Sequence, residues 1–308
     1  MRNPRKLYEI DTEVAARLAE TNGAPVLVHA VRGFVDSGSV AAVVAEHLVS
    51  SSDPVRLATF EVDQLLDYRS RRPAMTFASN TWVGIEEPEL VIDVVPDAEG
   101  TQYLVLHGLE PDTQWERFAA ATMQIVEDFG VSLVVGVHGI PMAVPHTREL
   151  SATVHGTRPE LVADFTSWFG TVQVPGSASS LLELRLGEAG HDAVGVAVHV
   201  PHYLSSSTYP AAAVTGLGYI ERLTGLDLDT AGLAPAVLQA AEEVERQLSD
   251  SDEALEVVRA LENQYDAFRR GAEADGMLAS GSPLPTAEEL GDEFERFLAQ
   301  QSKDPGQQ

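Results

Sequence analysis

The sequence predicts an α/β protein: a three-layer body built on a mostly parallel sheet over residues 1–230, with a C-terminal helical extension over 231–301. Three observations predict it. Short continuous apolar runs around Val26, Leu104, Val134 and Val196 have strand length and lack polar–apolar alternation, as expected of strands covered on both faces. Helix-like stretches fall between such runs. Beyond Ala231 no strand candidate occurs, and 17 acidic residues face 6 basic ones.

The elements follow in order. Residues 25–31 form the first buried strand, 32–38 a turn, and 39–50 an alanine- and valine-rich helix. Residues 55–60 form a second strand. Residues 74–83 and 90–95 are expected to pair, joined through Glu86, Glu87 and Pro88. A strand at 103–107 leads into a helix over 112–129, with Asp112 as N-cap and Trp115, Phe118, Ala119, Thr122 and Ile125 facing inward. A strand at 131–138, helices at 161–169 and 181–186, and a strand at 193–200 complete the body. The extension reads as helices at 235–248, 252–270 and 286–300, the last opened by a Thr286/Glu289 capping box after a Gly/Ser/Pro-rich linker at 276–285. Residues 302–308 are expected to be disordered.

Charge and composition exclude several functions. With 47 acidic and 20 basic residues the net charge is −27, which repels nucleic acid and anionic membrane surfaces. Cysteine is absent, so disulfides, thiolate metal sites and a cysteine nucleophile are excluded. Between Lys6 and Lys303 there is no lysine, which removes Schiff-base chemistry and a Walker-type phosphate loop from the body. No apolar run is long enough to span a bilayer, and no signal peptide is expected at the start, which points to the cytoplasm.

Four polar clusters each follow an apolar strand: Arg32 with Asp36, His107 with Glu110, His146 with Arg148, and His202 with Tyr203. In an open α/β sheet, the loops at the carboxyl ends of strands converge. Imidazoles, carboxylates and guanidiniums gathered there suit an acid–base or anion site. The same residue types also serve turns and helix caps for backbone reasons alone. His29, His107, His138 and His199 lie at or near strand ends, but their spacing matches no metal-binding motif, so neither metal nor cofactor is expected. Neither Gly-x-Ser-x-Gly nor Gly-x-Gly-x-x-Gly occurs.

Six ordered segments carry a family resemblance. They are Gly33-Phe34-Val35-Asp36-Ser37-Gly38; Asp67-Tyr68-Arg69 with Arg72-Pro73; Gly108 to Asp112 with Trp115; Pro145-His146-Thr147-Arg148; Pro201 to Leu204 with Tyr209-Pro210; and Leu261-Glu262 with Tyr265-Asp266. Over about residues 25–270 the pattern resembles bacterial, actinobacterial-type members of the proteasome assembly chaperone 2 family. The resemblance implies a three-layer fold akin to nucleoside phosphorylases and hydrolases. It also implies a non-catalytic, assembly-chaperone-like role whose partners are proteins, proteasome subunits among them. The alternative is a small-molecule enzyme of the nucleoside phosphorylase or hydrolase type, using the strand-end loops. A homo-oligomer is expected because apolar stripes around Leu255/Val258, Tyr265/Phe268 and Phe294/Phe297/Leu298 must cover either their own body or a neighbour. The phosphorylase-like fold that the resemblance implies often assembles as a trimer, which puts a trimer ahead of a dimer. The sequence ends Asp304 to Gln308 without a penultimate tyrosine, so tail-docking of the eukaryotic chaperone type is not expected.

Overall fold

A computed structural model describes residues 3–21, 23–165, 170–249 and 251–275. The chain runs β1 (Tyr8–Ile10), α1 (Thr12–Ala19), β2 (Val26–Arg32), α2 (Val40–Ser50), β3 (Val55–Phe60), β4 (Met75–Ala78), β5 (Thr81–Ile85), β6 (Leu90–Pro96) and β7 (Gln102–Leu109). It continues with α3 (Trp115–Asp128), β8 (Leu133–Met142), β9 (Ala152–Gly156), α4 (Ala178–Glu188), β10 (Ala193–Pro201), α5 (Pro210–Thr224), α6 (Ala234–Ser249) and α7 (Asp252–Asp275).

Eight strands form one sheet in the order β1-β3-β6-β7-β2-β8-β10-β9. The four expected buried strands are its centre, β7-β2-β8-β10, and all their pairings are parallel. Both flanks are antiparallel, so the sheet is mixed, with parallel pairing confined to its centre. The reason is local: β6 returns into β7 through residues 97–101, where the Asp97 carboxylate accepts from the Glu99 and Thr101 amides. A connection that short can only join antiparallel strands.

Each face carries a core. On one, α2 and α5 pack through Val40, Val44, Ala213 and Leu217 onto Val28, Val105, Val135 and Val196. On the other, α1, α3 and α4 pack through Leu18, Phe118, Ile125 and Leu182 onto Leu27, Leu104, Leu106 and Val134. Three layers result because successive residues of a strand point to opposite faces and both faces here are apolar. Val244 and Leu248 of α6 and Val258 of α7 join the first core, so the described part of the extension covers its own body. Among the described residues no helix is long and apolar enough to cross a membrane.

Several expectations are corrected. The apolar stretch at 74–83 does not pair with 90–95. It is broken at Ser79, which has positive φ, and β4 and β5 form a separate two-stranded sheet. Every residue of that hairpin is exposed, and an apolar run alone does not tell a core strand from a projecting one. Asp112 caps no helix: it accepts from the Asp67 amide and pairs with Arg71, and α3 starts at Trp115 after Gln114 in the left-handed region. The helix expected at 161–169 is a short turn of 3-10 helix at Pro159–Val162, and 166–169 lie outside the described residues. β1, α1, β9 and α5 were not anticipated. The expected linker at 276–285, helix at 286–300 and tail at 302–308 also lie outside the described residues.

Candidate functional site

The four polar clusters sit at or near the carboxyl ends of β2, β7, β8 and β10, and the structure divides them into two groups. In the first, Glu110 is buried just beyond β7. One of its carboxylate oxygens accepts from the Phe34 amide at 3.0 Å and the other from Ala178, the first residue of α4, at 2.7 Å. Its own amide donates to the Arg32 carbonyl, and its carbonyl accepts from the Arg71 guanidinium. A buried carboxylate left without such donors would be costly, so Glu110 locks three segments together. Gly33 is required beside it, since a Cβ there would stand 2.4 Å from the Glu110 carboxylate. Arg32 itself is exposed and makes no ion pair among the described residues.

In the second group, the Tyr203 hydroxyl donates to His146 Nδ1 at 2.7 Å while accepting from the His146 amide at 2.9 Å. His202 lies edge-on to the same tyrosine ring. Burial raises the Tyr203 pKa to about 12 and lowers that of His146, so the pair is neutral at physiological pH. Burial also lowers His202, offset in part by a hydrogen bond with the Met142 backbone. Arg148 reaches α7: its Nε and Nη2 donate to the two Asp266 oxygens at 2.8 Å each, and Nη1 lies 3.2 Å from Glu262. Thr147 donates to the same glutamate, and Tyr265 donates to the Glu149 carbonyl. The loop over 145–149 is thus latched to α7.

Asp36 stands between the groups as a structural acceptor. Burial raises its pKa, opposed by hydrogen bonds from the Ala41, Gly139 and Ala42 amides. His107 joins neither group. Its Nε2 lies 2.8 Å from Asp93, which also accepts from Arg56 at 2.6 Å. Burial pushes the Asp93 carboxyl up, but the hydrogen bonds from His107 and Arg56 outweigh it and hold the pKa below the usual range.

Sequence reasoning also missed a row of imidazoles on the opposite face. His29 pairs with Gly136, Gly136 with Gly195, and Gly195 with His155, so two glycines lie between two histidines across adjacent strands. The rings fold over the glycines: a Cβ on Gly136 would stand 2.4 Å from the His29 ring, and one on Gly195 would stand 2.0 Å from that of His155. His138 follows Gly136 by two residues on the same face. Burial first, then the neighbouring imidazoles, lowers His29 and His138 to about 4. Burial lowers His155 too, but its 2.8 Å bond to Glu183 prevails and raises it. His155 also lines an open groove of about 510 Å³ with Thr157, Ser180 and Glu188. Among the described residues no group of three or more His, Asp or Glu side chains is arranged to hold a metal ion. The row could not be read from spacing, because it depends on which strands are neighbours.

Comparison with known proteins addresses the arrangement as a whole. The family model of the PAC2 family matches residues 30–249, the region containing both strand-end groups except the α7 partners of Arg148. The chain belongs to the PAC2 family. Among solved structures, this PAC2 protein is similar to Rv2714, a Mycobacterium tuberculosis protein of unknown function. The identity is 43%, covering 88% of this chain and 92% of that one, with a TM-score of 0.83. A Corynebacterium glutamicum protein of unknown function matches at 35% identity, covering 85% and 97%, with a TM-score of 0.79. Rv2125, described as a Mycobacterium tuberculosis proteasome-assembly chaperone homologue, shares the fold at 21% identity, covering 76% and 99%, with a TM-score of 0.70. No curated protein matches the chain.

Proposed function

We propose that this PAC2 protein is a non-catalytic, cytoplasmic protein-binding component that acts as a homo-oligomer and takes part in assembling protein complexes, those of the proteasome included. The observation that carries the reading is the β4–β5 hairpin. Residues 74–85 contain no charged side chain, although the whole chain carries −27. Met75, Phe77, Trp82, Val83 and Ile85 all point into solvent, with Trp82 and Val83 each 61% exposed. A lone two-stranded hairpin is marginal in water, and the described residues of the body do not cover this one. Of the stripes expected on the late helices, Val258, Leu261 and Tyr265 are buried against their own chain, whereas Phe294, Phe297 and Leu298 lie outside the described residues.

An arm that grips a different surface of its neighbour makes a head-to-tail contact, which forms a closed set when the rotation allows; a trimer is the state we propose. The shared fold with Rv2125 supports the assembly role, and the absence of lysine between Lys6 and Lys303 weighs against phosphate-transfer chemistry. The small-molecule-enzyme alternative draws on the Asp93–His107 pair, but Arg56 holds the same carboxylate, as in a structural ion-pair network.

Sedimentation equilibrium tests self-association. The native chain is expected near three times 33.1 kDa, and a Phe77→Ser/Trp82→Ser variant at 33.1 kDa with an unchanged circular dichroism spectrum. Each such side chain returned to water forfeits roughly 1.5–3 kcal/mol of contact. A native chain sedimenting at 33.1 kDa, or a variant that stays assembled, refutes the role given to the hairpin.

A further inference from the structure

The end of the sheet around Glu110 carries a surface that self-association through the hairpin leaves unexplained. Phe34 is 82% exposed, the most exposed large apolar side chain among the described residues. Its backbone is held in place, because its amide is bonded to the buried Glu110 carboxylate. Arg32, two residues before it, is exposed and has no ionic partner among the described residues. Arg71 is anchored on the Glu110 carbonyl and on Asp112, and the next residue, Arg72, is likewise exposed and has no ion pair among the described residues. The Arg69 side chain is 89% exposed and meets only Asp67 of its own turn, at 3.3 Å.

Arg17, Arg259, Arg269 and Arg270 are also exposed without an ion pair among the described residues, but they lie on helices α1 and α7 rather than beside Phe34. Half of the described arginines outside this loop region, Arg5, Arg56, Arg148, Arg158, Arg185 and Arg246, pair with carboxylates, in a chain with more than twice as many acids as bases. Guanidiniums free of ion pairs, as on Arg32 and Arg72, or held only by a neighbouring turn, as on Arg69, offer paired donors for carboxylates beside an exposed aromatic ring. Aromatic and arginine side chains are also the residues that most often dominate protein interfaces.

We propose that Arg32, Arg69, Arg72 and Phe34 form a docking pad for an acidic peptide segment of a partner protein, its carboxylates meeting the guanidiniums and an apolar side chain resting on Phe34. Charge complementarity identifies the occupant: the remainder of this acidic molecule repels such a segment, so the pad is where it can settle, and the attraction also orients the encounter. Nucleic acid could use the same arginines, but a net charge of −27 opposes a long phosphate backbone far more than a short peptide. The proposal rests on the protein-binding reading above and names the chemistry of the partner.

The test uses the full chain and a fluorescein-labelled peptide of alternating glutamate and leucine, followed by anisotropy at low and high salt. Binding is expected at low salt and should weaken as salt rises. An Arg32→Glu/Arg72→Glu variant should lose about tenfold or more in affinity, and Phe34→Ser several-fold. Arg246→Glu, distant on α6, should bind like the native chain. None of these exposed side chains supports the core, and sedimentation of each variant checks that assembly persists. The proposal is overturned if the native chain does not bind the peptide, if the double reversal binds equally well, or if a labelled oligonucleotide binds the pad more tightly. Partner capture from a lysate that survives the double reversal would leave the protein-binding reading standing and remove the pad; capture that fails for the native chain would remove both.

Discussion

Mild acid should destabilise this protein through its buried histidines, and His29 isolates the effect. His29, His138 and His199 each have a pKa lowered from 6.5 to about 4, in every case chiefly by burial. Between those values the unfolded chain binds protons that the folded chain refuses. Each histidine therefore leaves stability intact above pH 6.5 and removes it as the pH falls towards 4. For one group the loss between about pH 7.5 and pH 5 is about 2 kcal/mol, and because His138 also lowers His29, the losses of the three do not simply add. Even one such loss is a sizeable share of the roughly 5–15 kcal/mol that holds a typical domain together. Other groups act the opposite way: His155, raised by Glu183, gains protons on folding, and self-repulsion relaxes as the pH nears the pI of 4.5. A His29→Gln variant shares that background while lacking one titrating ring. Urea unfolding across this pH range should therefore show the variant losing about 2 kcal/mol less than the native chain, whatever its starting stability. Parallel stability–pH curves for the two proteins would refute the reasoning.

Two further outcomes follow from the strand-end groups. Glu110→Gln keeps one acceptor but turns an amide donor towards a backbone N–H, from Phe34 or Ala178, so it should cost about 1–3 kcal/mol in urea unfolding; no change would mean that the carboxylate is not the lock described. Arg148→Ala releases Asp266 and Glu262 in a half-exposed setting, so global stability should fall by only about 1 kcal/mol or less. Amide exchange over residues 262–270 should nevertheless speed up, and unchanged protection there would refute the latch.

Much of the body was legible because both faces of its sheet are buried. Runs such as Leu104 to Leu106 and Val134 to Val137 have no solvent side, so their continuous apolar character identifies strands without knowledge of their neighbours. The antiparallel flanks were less legible: β1 is three residues long and β9 five, too short for a pattern to stand out. The hairpin at 75–85 was misread because exposed apolar strands and buried ones have the same composition.

The polar residues divide along the same line. Glu110, Asp36, His146, Arg148 and Tyr203 could be selected from sequence, since each follows a strand and the carboxyl ends of parallel strands gather at one end. Their partners could not. Glu110 meets Ala178 across 68 residues, Arg148 meets Asp266 across 118, and Asp93 and His107 meet through a register that only the folded sheet sets. By itself, the sequence determined the layered α/β body, the absence of thiol chemistry and, outside Lys6 and Lys303, of lysine chemistry, and the family, because composition and ordered local motifs need no spatial partner. Only tertiary structure decided which charges are spent within the molecule and which remain free. Pairing depends on strand order and loop convergence, and it leaves Arg32 and Arg72 facing water while Arg148 is held by α7.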